Sequence, residues 1–269
     1  MQADGIRDAR RAAHALLYRF GVTAAEHLRI EAIAKRLGVR IVETRLDGAQ
    51  AQLVRNGSDV VIYVSDRIKD PASRRFSIAH ELGHFVLKHP AAPAAHLCEP
   101  HAWVRDVAND LERDHEREAN AFASELLMPR SLVQKRCEVS PVDLGVPRQI
   151  AEEFTVSILA STRRFAELTS ECCIAVFSAN GVVQWRHPSA TFTSDILPGK
   201  RLDRDSVAWD FFSRGALDDR PQPIPASAWL PTSAEVDIIE HSICSREHQT
   251  VLSLIWVPHR VAGPLGMYA

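Results

Sequence analysis

The chain reads as α+β, and three observations set that class. Apolar residues recur at helical spacing through residues 8–37 and again through 71–86, 114–128 and 149–168. Short β-branched runs bounded by Gly and Asn turn signals fill residues 39–64. From Cys172 onward the pattern turns mostly to strands. With 269 residues there is room for one large or two modest domains. Three segments are predicted: 1–130, 131–168 and 169–269.

In chain order, Ala12, Ala13, Leu16, Leu17 and Phe20 mark the first helix, which Gly21 ends. Ile30, Ile33, Ala34 and Leu37 mark a second that stops at Gly38. Val39–Thr44, Ala51–Arg55 and Val60–Val64 are then expected to form a small antiparallel sheet, with Asn56-Gly57 as its hairpin turn. Val60–Val64 is expected in the core. An edge strand of such a sheet, beside an active-site helix, can pair with an extended peptide.

That sheet runs into His80-Glu81-Leu82-Gly83-His84, an H-E-x-x-H motif. On a helix the two histidines share a face, so both imidazoles can reach one Zn²⁺ at about 2.0–2.1 Å. Glu81 comes up beside the ion, where it can take a proton from a bound water. The context is helical. Asp70-Pro71 offers an N-cap and a first-turn proline; Phe76, Ala79, Leu82 and Val86 keep the period; Lys88-His89-Pro90 closes the helix. Gly83 costs about 1 kcal/mol in a helix interior against Ala, which predicts close approach of a second helix carrying a third ligand.

That helix is predicted over Asp114–Leu127, ended by Pro129, with Ala119, Phe122, Ala123, Leu126 and Leu127 as its apolar face. Its first turns offer Glu116 and Glu118. Glu116 is preferred as metal ligand, because Asn120 shares its face and could hydrogen-bond a ligand histidine. Glu118 shares a face with Phe122 and is the rival. Between the two helices, His96, Cys98 and His101 lie in an Ala- and Pro-rich stretch read as an active-site rim, with Cys98 able to cap the metal in a resting state. Tyr63, His115 and His101 are unassigned candidates for the oxyanion donor.

Taken together, His80–His84 and Glu116-Arg-Glu-Ala-Asn-Ala-Phe-Ala-Ser-Glu-Leu-Leu-Met-Pro129, with Arg74-Arg75-Phe76-Ser77-Ile78-Ala79 leading in, resemble the ImmA/IrrE family of zinc metallopeptidases over roughly Leu28 to Leu168. The resemblance implies a gluzincin-like domain in residues 1–130: His80, His84 and a helix-borne Glu as metal ligands, and Glu81 as general base. Zn²⁺ is the expected cofactor, although Mn²⁺ and Fe²⁺ suit the same ligands. It further implies cleavage of a helix-turn-helix repressor that silences a stress, DNA-damage or mobile-element regulon.

Residues 131–168 read as a short helix and then helix, tight turn, helix. Only Arg163 and Arg164 are cations on the second of these, and Glu152 and Glu153 sit on the first, which argues against direct DNA contact. Residues 169–269 resemble the GAF-like C-terminal domain of IrrE-type proteins, which implies a small-molecule sensor or a docking module. Cys172-Cys173 is expected to be buried rather than redox-active. The net charge of −2 gives no general affinity for nucleic acid or acidic membranes. No run approaches the roughly 18 apolar residues of a membrane span. Five cysteines without a paired framework predict reduced thiols and a cytoplasmic protein. Two other functions fit the sequence: a transcriptional regulator using its own helix-turn-helix, and an antitoxin-like interaction protein with an inactive peptidase site.

Overall fold

The computed structural model describes residues 2–90 and 110–267, with side chains from residue 4 and, in the second segment, from residue 114. His96, Cys98 and His101 therefore lie outside the described residues. The chain forms two compact units, residues 1–133 with 150–157 and residues 134–149 with 158–269. No helix among the described residues is long and apolar enough to cross a membrane.

The first unit begins with α1 (Gln2–Arg19), a 3-10 turn at Ala25–His27 and α2 (Ile30–Arg36). Three strands follow, β1 (Val39–Thr44), β2 (Ala51–Asn56) and β3 (Asp59–Ser65), in the spatial order β1-β3-β2. This corrects the expected antiparallel sheet. β2 runs antiparallel to β3 through the turn at Asn56-Gly57, but β1 lies parallel to β3. Residues 45–58, with β2 among them, form the crossover, and their length meets what a parallel pair requires. β3 is therefore the central strand, with Val61, Ile62 and Val64 buried, and β2 is an edge.

β3 leads into α3 (Pro71–Val86), which packs on α4 (Asp110–Leu127); α1 also lies against α4. Asp70 caps α3, its carboxylate accepting from Ser73 N at 2.8 Å and Ser73 Oγ at 2.6 Å. Burial pushes this carboxyl up, yet the hydrogen bonds from Ser73 and Ala72 leave its pKa below the ordinary 3.8. Asp70→Ala should cost about 1 kcal/mol. Because the folded pKa is the lower one, the contribution is complete above the unfolded value and is lost as pH falls through the folded one. Urea midpoints of wild type and variant should thus converge in acid.

α5 (Arg130–Cys137), α6 (Gly145–Phe154) and α7 (Ile158–Leu168) follow. α6 and α7 are joined by Thr155–Ser157, so the helix, tight turn, helix pattern is present. α7 packs against β4 (Cys173–Ala179) and β5 (Val182–Pro188) of the second unit. Arg164 is buried and paired with Glu167 at 2.9 Å, and Arg163 lies over the Trp185 ring, 5.3 Å from its centroid.

The second unit adds α8 (Val207–Arg214), β6 (Gln222–Pro225), β7 (Asp237–Ser245), β8 (Thr250–Trp256) and α9 (His259–Ala262). Its sheet has the order β5-β4-β8-β7-β6, antiparallel throughout. Ile174, Val176, Phe211, Trp229, Ile238 and Ile255 belong to its core. Within that core the Glu240 carboxylate accepts from Val207 N at 3.0 Å and Ala208 N at 2.8 Å at the start of α8, and from Trp229 Nε1 at 2.7 Å. Burial raises its pKa against those hydrogen bonds. Cys173 is buried and its thiol is pushed up; the half-buried Cys172 thiol is pushed up to about 11 by burial. Both thiols therefore stay protonated near neutral pH, which disfavours nucleophilic or redox chemistry.

Candidate metal centre

α3 presents His80 and His84 on one face, and the first turns of α4 bring Glu116 to them. His80 Nε2 lies 3.1 Å from Glu116 Oε2, His84 Nε2 lies 3.2 Å from Glu116 Oε1, and the two Nε2 atoms are 3.0 Å apart. A tetrahedral ion with bonds of about 2.0–2.1 Å separates its ligand atoms by roughly 3.3 Å, close to each of these pairwise separations. His80 Nδ1 lies 3.0 Å from Asn120 Oδ1. An amide oxygen can only accept, so the proton sits on Nδ1 and the Nε2 lone pair is left facing the other two ligands. A carboxylate and two such imidazole nitrogens repel one another unless a cation lies among them. His80, His84 and Glu116 could hold a metal ion.

The electrostatics agree. Burial lowers the pKa of His80, but Glu116, Glu81 and Asn120 outweigh it and leave it raised. Burial raises that of Glu116, yet His80 and His84 beside it hold it well below the usual carboxylate range. The pocket favours positive charge.

Gly83 is where α3 and α4 meet. A Cβ built there would lie 3.1 Å from Ala119 Cα, 3.2 Å from Ala119 O and 3.2 Å from Phe122 Cδ1. The obstruction is mostly backbone and cannot swing aside. Gly83→Ala gains about 1 kcal/mol of helix propensity but overpacks the contact, at about 1–3 kcal/mol. It should lower the unfolding midpoint and also weaken metal binding, because α4 carries Glu116. Titration with a chromophoric chelator checks the second part.

Glu118 does not turn toward this centre. Its Oε2 lies 2.9 Å from Nε2 of His89, a residue read from sequence only as part of a helix stop. His89 is buried, and its Nδ1 lies 3.0 Å from Nδ1 of His84. Burial, with His84 and His115 nearby, lowers its pKa to about 4 despite Glu118. His115 stacks on His89 with centroids 4.4 Å apart. His89 arrives there because α3 ends in a Schellman motif. Lys88 takes a left-handed φ of 59°, His89 N donates to His84 O at 3.1 Å, and Lys88 N donates to Phe85 O at 3.2 Å. From β2, Arg55 donates to the carbonyls of His84 at 2.9 Å and His89 at 2.8 Å. The sequence signal for such a turn is Gly or Asn, and Lys stands here instead.

Glu81 is buried beside the ligands on α3. Its Oε2 accepts from Leu53 N at 2.9 Å, so the edge strand β2 holds this carboxylate by its backbone.

Comparison with known proteins is consistent with this geometry. No curated protein matches the chain. A solved structure described as a Mycobacterium tuberculosis transcriptional regulator aligns over 96% of this chain and 77% of its own, with a TM-score of 0.61 at 14% identity, a likeness of fold alone. A family model described as the IrrE N-terminal-like domain matches residues 34–165, a span that contains β1–β3, α3, α4 and the three converging ligands. Residues 34–165 of this chain are thus an IrrE N-terminal-like domain, and that segment belongs to the ImmA/IrrE peptidase family.

Proposed function

We propose that the protein is a cytoplasmic zinc endopeptidase that cuts a helix-turn-helix repressor and thereby induces a stress, DNA-damage or mobile-element regulon. The observation that carries this reading is the convergence of His80, His84 and Glu116 beside the buried Glu81, within an IrrE N-terminal-like domain. A divalent ion held there would polarise the scissile carbonyl and lower the pKa of the attacking water toward about 7. Glu81 takes the proton of that water and returns it to the leaving amine. Leu53 N–H fixes the carboxylate for that task, and β2, an edge of its sheet, would pair through its other outer backbone groups with an extended stretch of substrate.

For the second unit the proposal is a GAF-like sensor. Its five-stranded antiparallel sheet supports that reading. So does an open cavity of about 450 Å³ where Arg201 and Arg204 stand beside Trp209 and Phe212, a lining suited to a small anionic ligand with a flat ring. The name of the solved structure raises a second reading, a regulator that binds DNA itself. The burial of Arg164 weighs against it, since the second helix then offers phosphates only the exposed Arg163.

The test is to incubate the protein with Zn²⁺ or Mn²⁺ and each helix-turn-helix repressor of the genome that encodes it, starting with any from a neighbouring gene. The expected result is one or a few discrete cuts that a chelator abolishes. An intact repressor, together with a salt-dependent shift of DNA by the protein alone, would favour the second reading.

A further inference from the structure

We infer that His89 is a positioning residue for the metal ligand His84, in a one-way hydrogen-bond chain that ends on Glu118. The inference rests on the metal-site reading above. If His84 turns Nε2 to the ion, its Nδ1 carries the proton, because a neutral imidazole has one bare nitrogen and one N–H. That N–H, 3.0 Å from Nδ1 of His89, has to find an acceptor there. His89 Nδ1 is then bare and its proton is on Nε2, which donates to Glu118 Oε2 at 2.9 Å. Each donor meets an acceptor, and no second arrangement satisfies all three groups while leaving the ligating nitrogen free. Glu118 thereby does for His84, through one intervening imidazole, what Asn120 does directly for His80.

Three features build the chain rather than merely permit it. The Schellman turn at Lys88 folds His89 back over the last turn of α3. Arg55 ties the carbonyls of both histidines to β2. Gly5 of α1 leaves room for Glu118, since a Cβ there would stand 2.0 Å from Glu118 Oε1. Partners that orient a ligating imidazole and raise its basicity are typically worth about 10–100-fold in metal affinity.

The experiment measures Zn²⁺ affinity of the full chain by competition with a chromophoric chelator, alongside thermal unfolding of the metal-free proteins. His89→Ala should weaken Zn²⁺ binding about 10–100-fold. His89→Gln, which still offers an acceptor and a donor, should recover part of the loss. Gly5→Ala keeps all the chain's partners and favours the helix. The added methyl nevertheless drives the Glu118 carboxylate off His89, so this variant should bind Zn²⁺ more weakly while still unfolding cooperatively. If His89→Ala does not fold, His89→Gln and Gly5→Ala still decide. Wild-type affinity in folded His89→Ala, or in both of the other variants, would overturn the inference and leave the peptidase reading standing. A wild-type protein that takes up no Zn²⁺ would overturn both.

Discussion

Glu81→Gln is expected to lose cleavage of the repressor by about 10²–10⁴-fold while keeping its fold and its metal. The substitution is nearly isosteric. Its side-chain oxygen can still accept from Leu53 N, the contact the carboxylate makes at 2.9 Å, so the edge strand and α3 should stay together. What is lost is basicity, because an amide cannot take a proton from water near neutral pH. Single-turnover cleavage together with metal content by mass spectrometry separates the two properties. A variant that retains metal and cuts at the wild-type rate would place the base elsewhere. A variant that loses its metal as well would show that Glu81 matters to the site's assembly.

Glu116→Ala should abolish activity by removing the metal. The carboxylate spans both histidines, one oxygen to each Nε2, and its removal leaves two donors where a catalytic zinc takes three. The loss of affinity should exceed the roughly 10–100-fold assigned to hydrogen-bond partners of ligands. Glu116→Gln tests charge apart from size and should also bind poorly, since an amide oxygen is a weak ligand for zinc. Glu118→Ala is the informative contrast. It should weaken binding by no more than the partner range, whereas a loss as large as that of Glu116→Ala would make Glu118 a ligand. Excess Zn²⁺ should therefore restore cleavage to the Glu118 variant and not to the Glu116 one.

Much of this site is legible in the sequence because its signals are local. Asp70-Pro71, the His80–His84 spacing and the Pro129 stop each work within a turn or two of helix, and the hairpin of β4 and β5 announces itself at Asn180-Gly181. Gly83 is legible as well, because a glycine inside a helix has a cost that only close packing explains. The parallel pairing of β1 with β3 is not local. It depends on where the crossover through β2 comes to rest, and no short pattern carries that. Neither is the difference between Glu116 and Glu118, two residues apart on one helix. It depends on how α4 is turned between Gly83 on α3 and Gly5 on α1, so that one carboxylate meets two ligands and the other meets His89. His89 itself is hidden because its place depends on the backbone of the residue before it.

That backbone makes position 88 a control point of an unusual kind. Lys88 has no hydrogen bond through its side chain among the contacts that build the site, yet its φ of 59° turns the chain back toward the ligands. A β-branched residue resists that conformation strongly, while glycine enters it freely. Lys88→Gly should therefore be silent or mildly stabilising, whereas Lys88→Val should behave like an injury to His84 although it replaces no ligand and no hydrogen-bond partner of a ligand. Position 88 thus acts on the site through a torsion angle, and variants that change the site from there leave every ligand and every hydrogen-bond partner of a ligand in place.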